Sequence, residues 1–225
     1  MVKHVFIITG GSFDSEWFKT VWPGYRDEKE EQILITADKG LQYAEEAGIL
    51  PDRIIGDFDS LPGGVPEKYK ELGIPVRTFP PEKDYTDTNL ALMWAVKEGA
   101  DKVTLFGAMG TRFDHGFANI GLLSYLLDHK VTGEIVDPYN RITMMNGTFR
   151  NCMKISKIPG KKEYISLIPY TEKVTGVNLE GFKYPLQDAV LKIGESLGIS
   201  NELTDTEGRI QIREGILMVI RASDC

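Results

Sequence analysis

Residues 53–60 read Arg53-Ile54-Ile55-Gly56-Asp57-Phe58-Asp59-Ser60, a short β-branched run that breaks at a glycine into an alternating acidic turn. A run of this length and branching suits a strand better than a helix. A helical pattern near Pro66–Leu72 follows it. Outward from there, the same rhythm of apolar run, Gly or Asp turn and helical pattern recurs from the first residues to about residue 137. It predicts strands near Val5–Thr9, Ile33–Ala37, Arg53–Gly56, Pro75–Phe79, Lys102–Phe106 and Glu134–Val136. Helices are predicted near Gly40–Ala47, Pro66–Leu72, Asp87–Gly99 and His115–His129. Strands alternating with helices in this way build βα units and a parallel sheet.

From Asn140 onward the rhythm changes. Short runs at Ile142–Met145, Thr148–Ile155, Tyr164–Pro169, Lys173–Val177, Gly181–Tyr184, Arg209–Arg213 and Gly215–Ile220 are separated by turn residues. This pattern predicts an antiparallel sandwich or barrel-like domain. Leu186–Leu197 has the spacing of a helix. Asp137-Pro138-Tyr139-Asn140 favours a turn and marks the boundary. The expected fold class is therefore α/β plus all-β, with a parallel-sheet domain over 1–138 and a β-sandwich over 139–225.

The composition excludes several function classes. With 225 residues, 42% of them hydrophobic and 26% charged, the chain can bury a real core. A net charge of -7 without a Lys/Arg run disfavours nucleic acid. The apolar stretch Val5–Ile8 is too short for a signal core or a membrane span, so a cytoplasmic protein is expected. Cys152 and Cys225 have no CxxC spacing, which argues against zinc and against a disulfide framework.

In an open parallel sheet, ligands bind beyond the carboxyl ends of the strands. That edge carries Gly10-Gly11-Ser12, Asp38, Asp57-Phe58-Asp59-Ser60, Lys83-Asp84-Tyr85-Thr86-Asp87 and the stretch Gly107 to His115. Residues two apart in an extended segment share a face, so Asp57 and Asp59 can approach one cation while Phe58 turns away. Hard carboxylate oxygens of this kind suit magnesium, which completes its octahedron with water and phosphate. Asp59 or Ser60 would also serve as a turn cap. Asp84 or Thr86 could cap the next helix, and Asp87 suits its positive end, in front of an expected buried stripe of Leu90, Met93 and Trp94. Capping leaves unexplained why carboxylates gather at neighbouring strand ends, where they repel unless a cation lies between them. In Gly107–His115, small residues permit anion approach to backbone N–H groups, and Arg112 offers a planar fork to phosphate. Asp114 also suits an N-cap, and His115 a first-turn surface position.

The ordered set of motifs resembles the thiamine pyrophosphokinase family. It comprises Ala37-Asp38-Lys39-Gly40, Pro51-Asp52 leading to Gly56–Ser60, Lys83–Asp87, and Arg112-Phe113-Asp114-His115 with Ala118-Asn119. Thr175-Gly176, Gly181-Phe182-Lys183-Tyr184-Pro185-Leu186 and Gly198-Ile199-Ser200-Asn201-Glu202 extend the resemblance over nearly the whole chain. It implies an N-terminal catalytic domain binding nucleotide and metal, and a C-terminal sandwich for thiamine binding and dimerisation. It further implies a homodimer with thiamine at the cleft between subunits, ATP as co-substrate, and Mg2+ held by Asp57, Asp59 and Asp87. Asp38 lies in the active site on this reading, Arg112 with Asp114 helps hold the nucleotide, Ser200 and Asn201 meet thiamine, and Tyr184 faces its ring. Lys83 and Asp84 are expected beside the phosphates. Lys39 departs from the family pattern, which usually has glycine there, and Ala108-Met109 makes the loop before Arg112 less glycine-rich.

The expected reaction is diphosphoryl transfer to the thiamine hydroxyl, with AMP leaving. Asp38 or Asp84 could accept the hydroxyl proton. Two other readings fit part of the pattern: a magnesium-dependent phosphohydrolase with Asp57 as nucleophile, and a catalytically silent module that senses nucleotide or thiamine.

Overall fold

The structure, a computed structural model, describes residues 1–57, 67–79 and 84–224. The chain forms two compact units, Met1–Pro138 and Tyr139–Cys225.

In the first unit the described residues form parallel strands β1 (Lys3–Ile8), β2 (Glu31–Ala37), β3 (Arg53–Gly56), β4 (Val76–Thr78), β5 (Lys102–Phe106) and β6 (Thr132–Val136). Their spatial order is β4-β3-β2-β1-β5-β6. The chain thus works outward from β1 to β4 and then crosses back to add β5 on the other side of β1. The two strands at this reversal are apolar over consecutive residues, with Phe6, Ile7, Ile8, Leu105 and Phe106 fully buried. Burial on both faces of a parallel sheet demands such runs.

The helices are α1 (Ser15–Tyr25), α2 (Gly40–Glu46), α3 (Glu67–Glu71), α4 (Asp87–Lys97) and α5 (Phe113–Asp128). Helix α1 is not among the helices predicted from the sequence. The helix forms because the Asp14 carboxylate accepts the Trp17 N–H at 2.9 Å and because its aromatic face is buried. Phe18 is fully buried against Phe106, edge to face at 4.9 Å, and Trp22 packs on both Phe18 and Phe6. Pro23 falls in the last turn, where it leaves out one i→i−4 hydrogen bond and the helix ends two residues later at Tyr25.

Helix α4 begins under a cap in which the Thr86 hydroxyl accepts the Asn89 N–H at 3.2 Å. Its buried side is Thr88, Ala91, Leu92, Trp94 and Ala95. The expected stripe was rotated: Met93 is exposed and Leu90 is only half-buried. Ala91 and Ala95 sit between Leu92 and Trp94 on the inner face, where α4 packs against β1, β2, β3 and α5 together.

The second unit contains β7 (Asn140–Asn146), β8 (Cys152–Ser156), β9 (Tyr164–Pro169), β10 (Lys173–Glu180), β11 (Leu186–Lys192), β12 (Glu207–Gln211) and β13 (Ile216–Ala222). Strand β13 pairs antiparallel with β7 and β9, and a second antiparallel sheet has the order β11-β10-β12-β8. Val174, Val177, Leu179 and Ile210 of the second sheet share one core with Ile165, Leu167, Leu217 and Val219 of the first. That is a sandwich, built from strands such as β9 whose residues alternate inward and outward.

The helix expected at Leu186–Leu197 is not formed; its first seven residues are strand β11, paired with β10. The pairing register shifts twice along β10, and Asp188 adopts a left-handed φ of 46°. These irregularities let Leu186, Ala189 and Leu191 all pack on the core despite uneven spacing, which imitated a helical stripe. Gly181–Tyr184 is likewise not a strand, but meets 201–203 through an isolated bridge between Phe182 and Leu203.

Candidate active site

The loops after β1 and β5 meet at the reversal of strand order, where a crevice opens in such sheets. Gly11 donates its N–H to the Gly107 carbonyl at 2.7 Å, and Ser12 donates to Met109 at 2.6 Å. A Cβ on Gly11 would overlap both of those carbonyl oxygens. Gly107 has φ 65°, and a Cβ there would stand 2.5 Å from the Thr9 carbonyl oxygen. These glycines therefore permit two backbones to touch. Asn119 donates to the Ala108 carbonyl at 2.7 Å, and the Thr9 and Thr88 hydroxyls lie 2.7 Å apart, which ties both loops to α5 and α4. Since the Gly11 and Ser12 N–H groups are already engaged, any anion must use other donors of these loops.

A cleft of about 830 Å³ opens over this junction. Asp38, Asp57, Asp84 and Asp87 line it, together with Lys39 and Arg112. Asp38 sits at φ 49°, a conformation held by its N–H bond to the Ile55 carbonyl at 2.9 Å. Its carboxylate Oδ1 lies so close to Gly56 that a Cβ there would collide with it. A left-handed non-glycine residue in a cleft is a pointer to function. Asp87 is the first residue of α4, where the helix dipole favours a negative charge.

Arg112 and Asp114 form a two-pronged pair, with Nη2 donating to Oδ2 at 2.6 Å and Nε to Oδ1 at 3.2 Å. The Arg112 hydrogen bond holds the Asp114 carboxyl down at about 2, and Asp114 in turn raises the guanidinium. Both groups are exposed, so the pair orients Arg112 more than it stabilises the fold. Asp114 does not line the cleft itself and is not the cap of α5, which starts at Phe113 with Arg112 in the capping position.

Asp59 and Lys83 lie outside the described residues. Among the described residues no three carboxylate, imidazole or thiol groups converge as a ready-made metal cage. Magnesium does not require one, since it commonly takes one or two carboxylates and completes its shell with water and phosphate. Four carboxylates on one cleft, one of them seated where a side chain at Gly56 would be, form a hard-oxygen donor set that fits this ion.

In the second unit Tyr184, Leu186, Leu197, Ile199 and Asn201 line a mostly apolar hollow of about 460 Å³. Tyr184 is exposed there and Asn201 is buried. The Asn201 side chain holds the backbone of Tyr184: Oδ1 accepts its N–H at 3.0 Å and Nδ2 donates to its carbonyl at 2.8 Å. Oδ1 also accepts the Glu202 N–H at 2.9 Å, which leaves one amide N–H of Asn201 for a ligand. Ser200 has φ 55°, donates its N–H to Ser166 Oγ at 3.0 Å and does not line the hollow.

Two family models match the chain. The thiamin pyrophosphokinase catalytic domain covers residues 26–135, and the thiamin pyrophosphokinase vitamin B1 binding domain covers 150–217. A thiamine pyrophosphokinase of Bacillus subtilis (strain 168) is 34% identical, over 99% of this chain and 100% of its own length. The chain belongs to the thiamine pyrophosphokinase family. The crystal structure of thiamine pyrophosphokinase from Bacillus subtilis superposes with a TM-score of 0.86 at 33% identity, covering 99% of this chain and 100% of that one. That of Geobacillus thermodenitrificans thiamin pyrophosphokinase gives 0.81 at 36% identity, with 98% of each chain covered. Beyond the motifs that carried the family resemblance, the cleft recruits Tyr43 and Thr88. Tyr43 was legible in principle, because it stands four residues after Lys39 on a predicted helix and so shares its face.

Proposed function

We propose that the chain transfers the diphosphoryl group of ATP to the hydroxyl of thiamine, releasing AMP. The observation that carries this reading is that, among the described residues, Asp38, Asp57, Asp84 and Asp87 line one cleft with Lys39 and Arg112 at the strand-order reversal, in a chain of this family. The hydroxyl oxygen attacks the β-phosphorus, the bond from that phosphorus to the oxygen bridging to the α-phosphorus breaks, and AMP leaves. Catalysis of such a transfer is mostly alignment and neutralisation of charge. Arg112, oriented by Asp114, stabilises phosphate oxygens. Asp38 or Asp84, both lining the cleft, would take the hydroxyl proton. Asp57, Asp59 and Asp87 would hold magnesium, which when bound supplies neutralisation of phosphate charge. Lys83 would add a further cation.

On this reading residues 1–138 bind nucleotide and metal, while 139–225 bind thiamine and pair two copies of the chain. Tyr184 offers its ring to thiamine across an apolar hollow, with Asn201 holding Tyr184 in place and Ser200 in the adjoining turn. The cytoplasm suits an enzyme whose Cys152 is an exposed free thiol. No helix among the described residues is long and apolar enough to cross a membrane.

The test is product analysis. Incubation with ATP, thiamine and magnesium, followed by chromatography, is expected to show AMP and thiamine diphosphate in equal amounts. ADP with thiamine monophosphate would refute the reading, as would inorganic phosphate released without thiamine.

A further inference from the structure

Lys39 follows Asp38 directly and lines the same cleft. Its ammonium lies over the Tyr43 ring, 5.2 Å from the centroid. Among the described residues no carboxylate forms a salt bridge with it, although the cleft holds four. Arg112, the other cation lining the cleft among the described residues, is engaged by Asp114. The Tyr43 ring is itself fixed on two sides. Its hydroxyl donates to the Gly11 carbonyl at 2.9 Å, and its face stacks on Phe13 with centroids 4.9 Å apart and planes within 8°. At the base of the side chain, a Cβ on Gly10 would stand 3.3 Å from the Lys39 Cβ, so the stem runs close beside the loop after β1.

We propose that Lys39 is a phosphate-binding residue of the cleft, with Tyr43 as the positioning residue that keeps its ammonium beside the Gly10–Ser12 loop. A nucleoside triphosphate entering this cleft meets four carboxylates. Its affinity there depends on cations not already neutralised, and an ammonium resting on a ring face is such a cation: the ring orients it without cancelling its charge. The loop beside it offers fewer donors, because the Gly11 and Ser12 N–H groups are bonded to the loop after β5. The inference rests on the proposed reaction only for the identity of the anion.

Calorimetric titration of the full chain with ATP, with magnesium and again in EDTA, tests it. Lys39→Gln should weaken nucleotide binding about 10- to 100-fold in both conditions, the range expected for a lost charge-assisted hydrogen bond. It should also flatten the salt dependence of binding and raise the KM for ATP while leaving that for thiamine unchanged. Lys39→Arg should recover most of the affinity. Tyr43→Leu should weaken ATP binding in the wild-type background and have little further effect beside Lys39→Gln. Nucleotide affinity within about twofold of wild type in Lys39→Gln, with an unchanged melting curve and salt slope, overturns the assignment. If wild type binds ATP through Lys39 yet yields no AMP with thiamine, the proposed reaction fails and the phosphate site stands.

Discussion

Replacing Asn201 with alanine separates a structural pin from a ligand contact. The side chain is 3% exposed and makes three hydrogen bonds, to the N–H and carbonyl of Tyr184 and to the N–H of Glu202. At about 0.5–1.5 kcal/mol net for each bond, the loss should come to about 2–4 kcal/mol. For a chain of this size that corresponds to a fall of roughly 5–15 °C in melting temperature. Circular dichroism against temperature and urea measures it, with a constant m-value showing that the unfolded state is unchanged. Thiamine affinity should fall with stability, because Tyr184 loses its anchor, whereas ATP titration should match wild type. Asn201→Asp sharpens the case. It keeps the acceptor but sets a carboxylate oxygen against the Tyr184 carbonyl, so the folded state raises the carboxyl pKa. Its stability is then greatest below the unfolded value of about 4 and falls as pH rises through the folded one. An Asn201→Ala protein that melts within about 1 °C of wild type while losing thiamine affinity would refute the pin and make the remaining amide N–H a direct contact.

Gly56→Ala would drive a Cβ into the Asp38 carboxylate at a φ of 154°, so turnover should drop more than about tenfold with a stability loss of about 1–3 kcal/mol; wild-type kcat would contradict the packing. Asp59→Asn should remove most turnover in a folded protein, because an amide is a poorer magnesium ligand, and unchanged activity and magnesium dependence would exclude Asp59 as a ligand. Sedimentation is expected to show a dimer as the active species, and a fully active monomer would oppose the pairing role of the second unit. Burial lowers the His4 imidazole pKa against the pull of Glu30, 3.1 Å away. The unfolded chain therefore binds a proton that the folded chain resists, and stability should fall as pH drops through about 6.5. His4→Gln should abolish that slope between pH 7 and 5.5, and a slope unchanged in the variant would place its source elsewhere.

The fold class was legible because two periodicities divide the chain. Apolar runs with helices between them fill the first unit, and alternating runs such as Tyr164–Pro169 fill the second. Where the reading failed, local patterns were overridden by tertiary partners. Pro23 did not stop α1, because Phe18 and Trp22 bury their rings against Phe6 and Phe106. Leu186, Ala189 and Leu191 looked helical because a register shift and the left-handed Asp188 cannot be seen without strand β10. At the site, residue types suggested candidates but not their contacts. Nothing in Arg112-Phe113-Asp114 says that the carboxylate turns back onto the guanidinium, or in Ser200-Asn201 that the amide holds Tyr184.

Strand order is the feature least accessible to a linear reading, yet it left a trace. Gly10-Gly11-Ser12 and Gly107–Gly110 lie about a hundred residues apart and become neighbours only because β5 returns to the flank of β1. Once there, the loops approach so closely that neither Gly11 nor Gly107 has room for a Cβ, and Gly107 also sits at a positive φ. A glycine in a turn usually serves that turn alone. Here the glycines of two distant turns are required by each other, and the Gly11 and Ser12 N–H groups, which donate to the Gly107 and Met109 carbonyls, are withdrawn from phosphate binding. That withdrawal shifts the task of holding an anion onto side chains, and it gives the cations at positions 39 and 112 more weight than a glycine-rich loop alone would suggest.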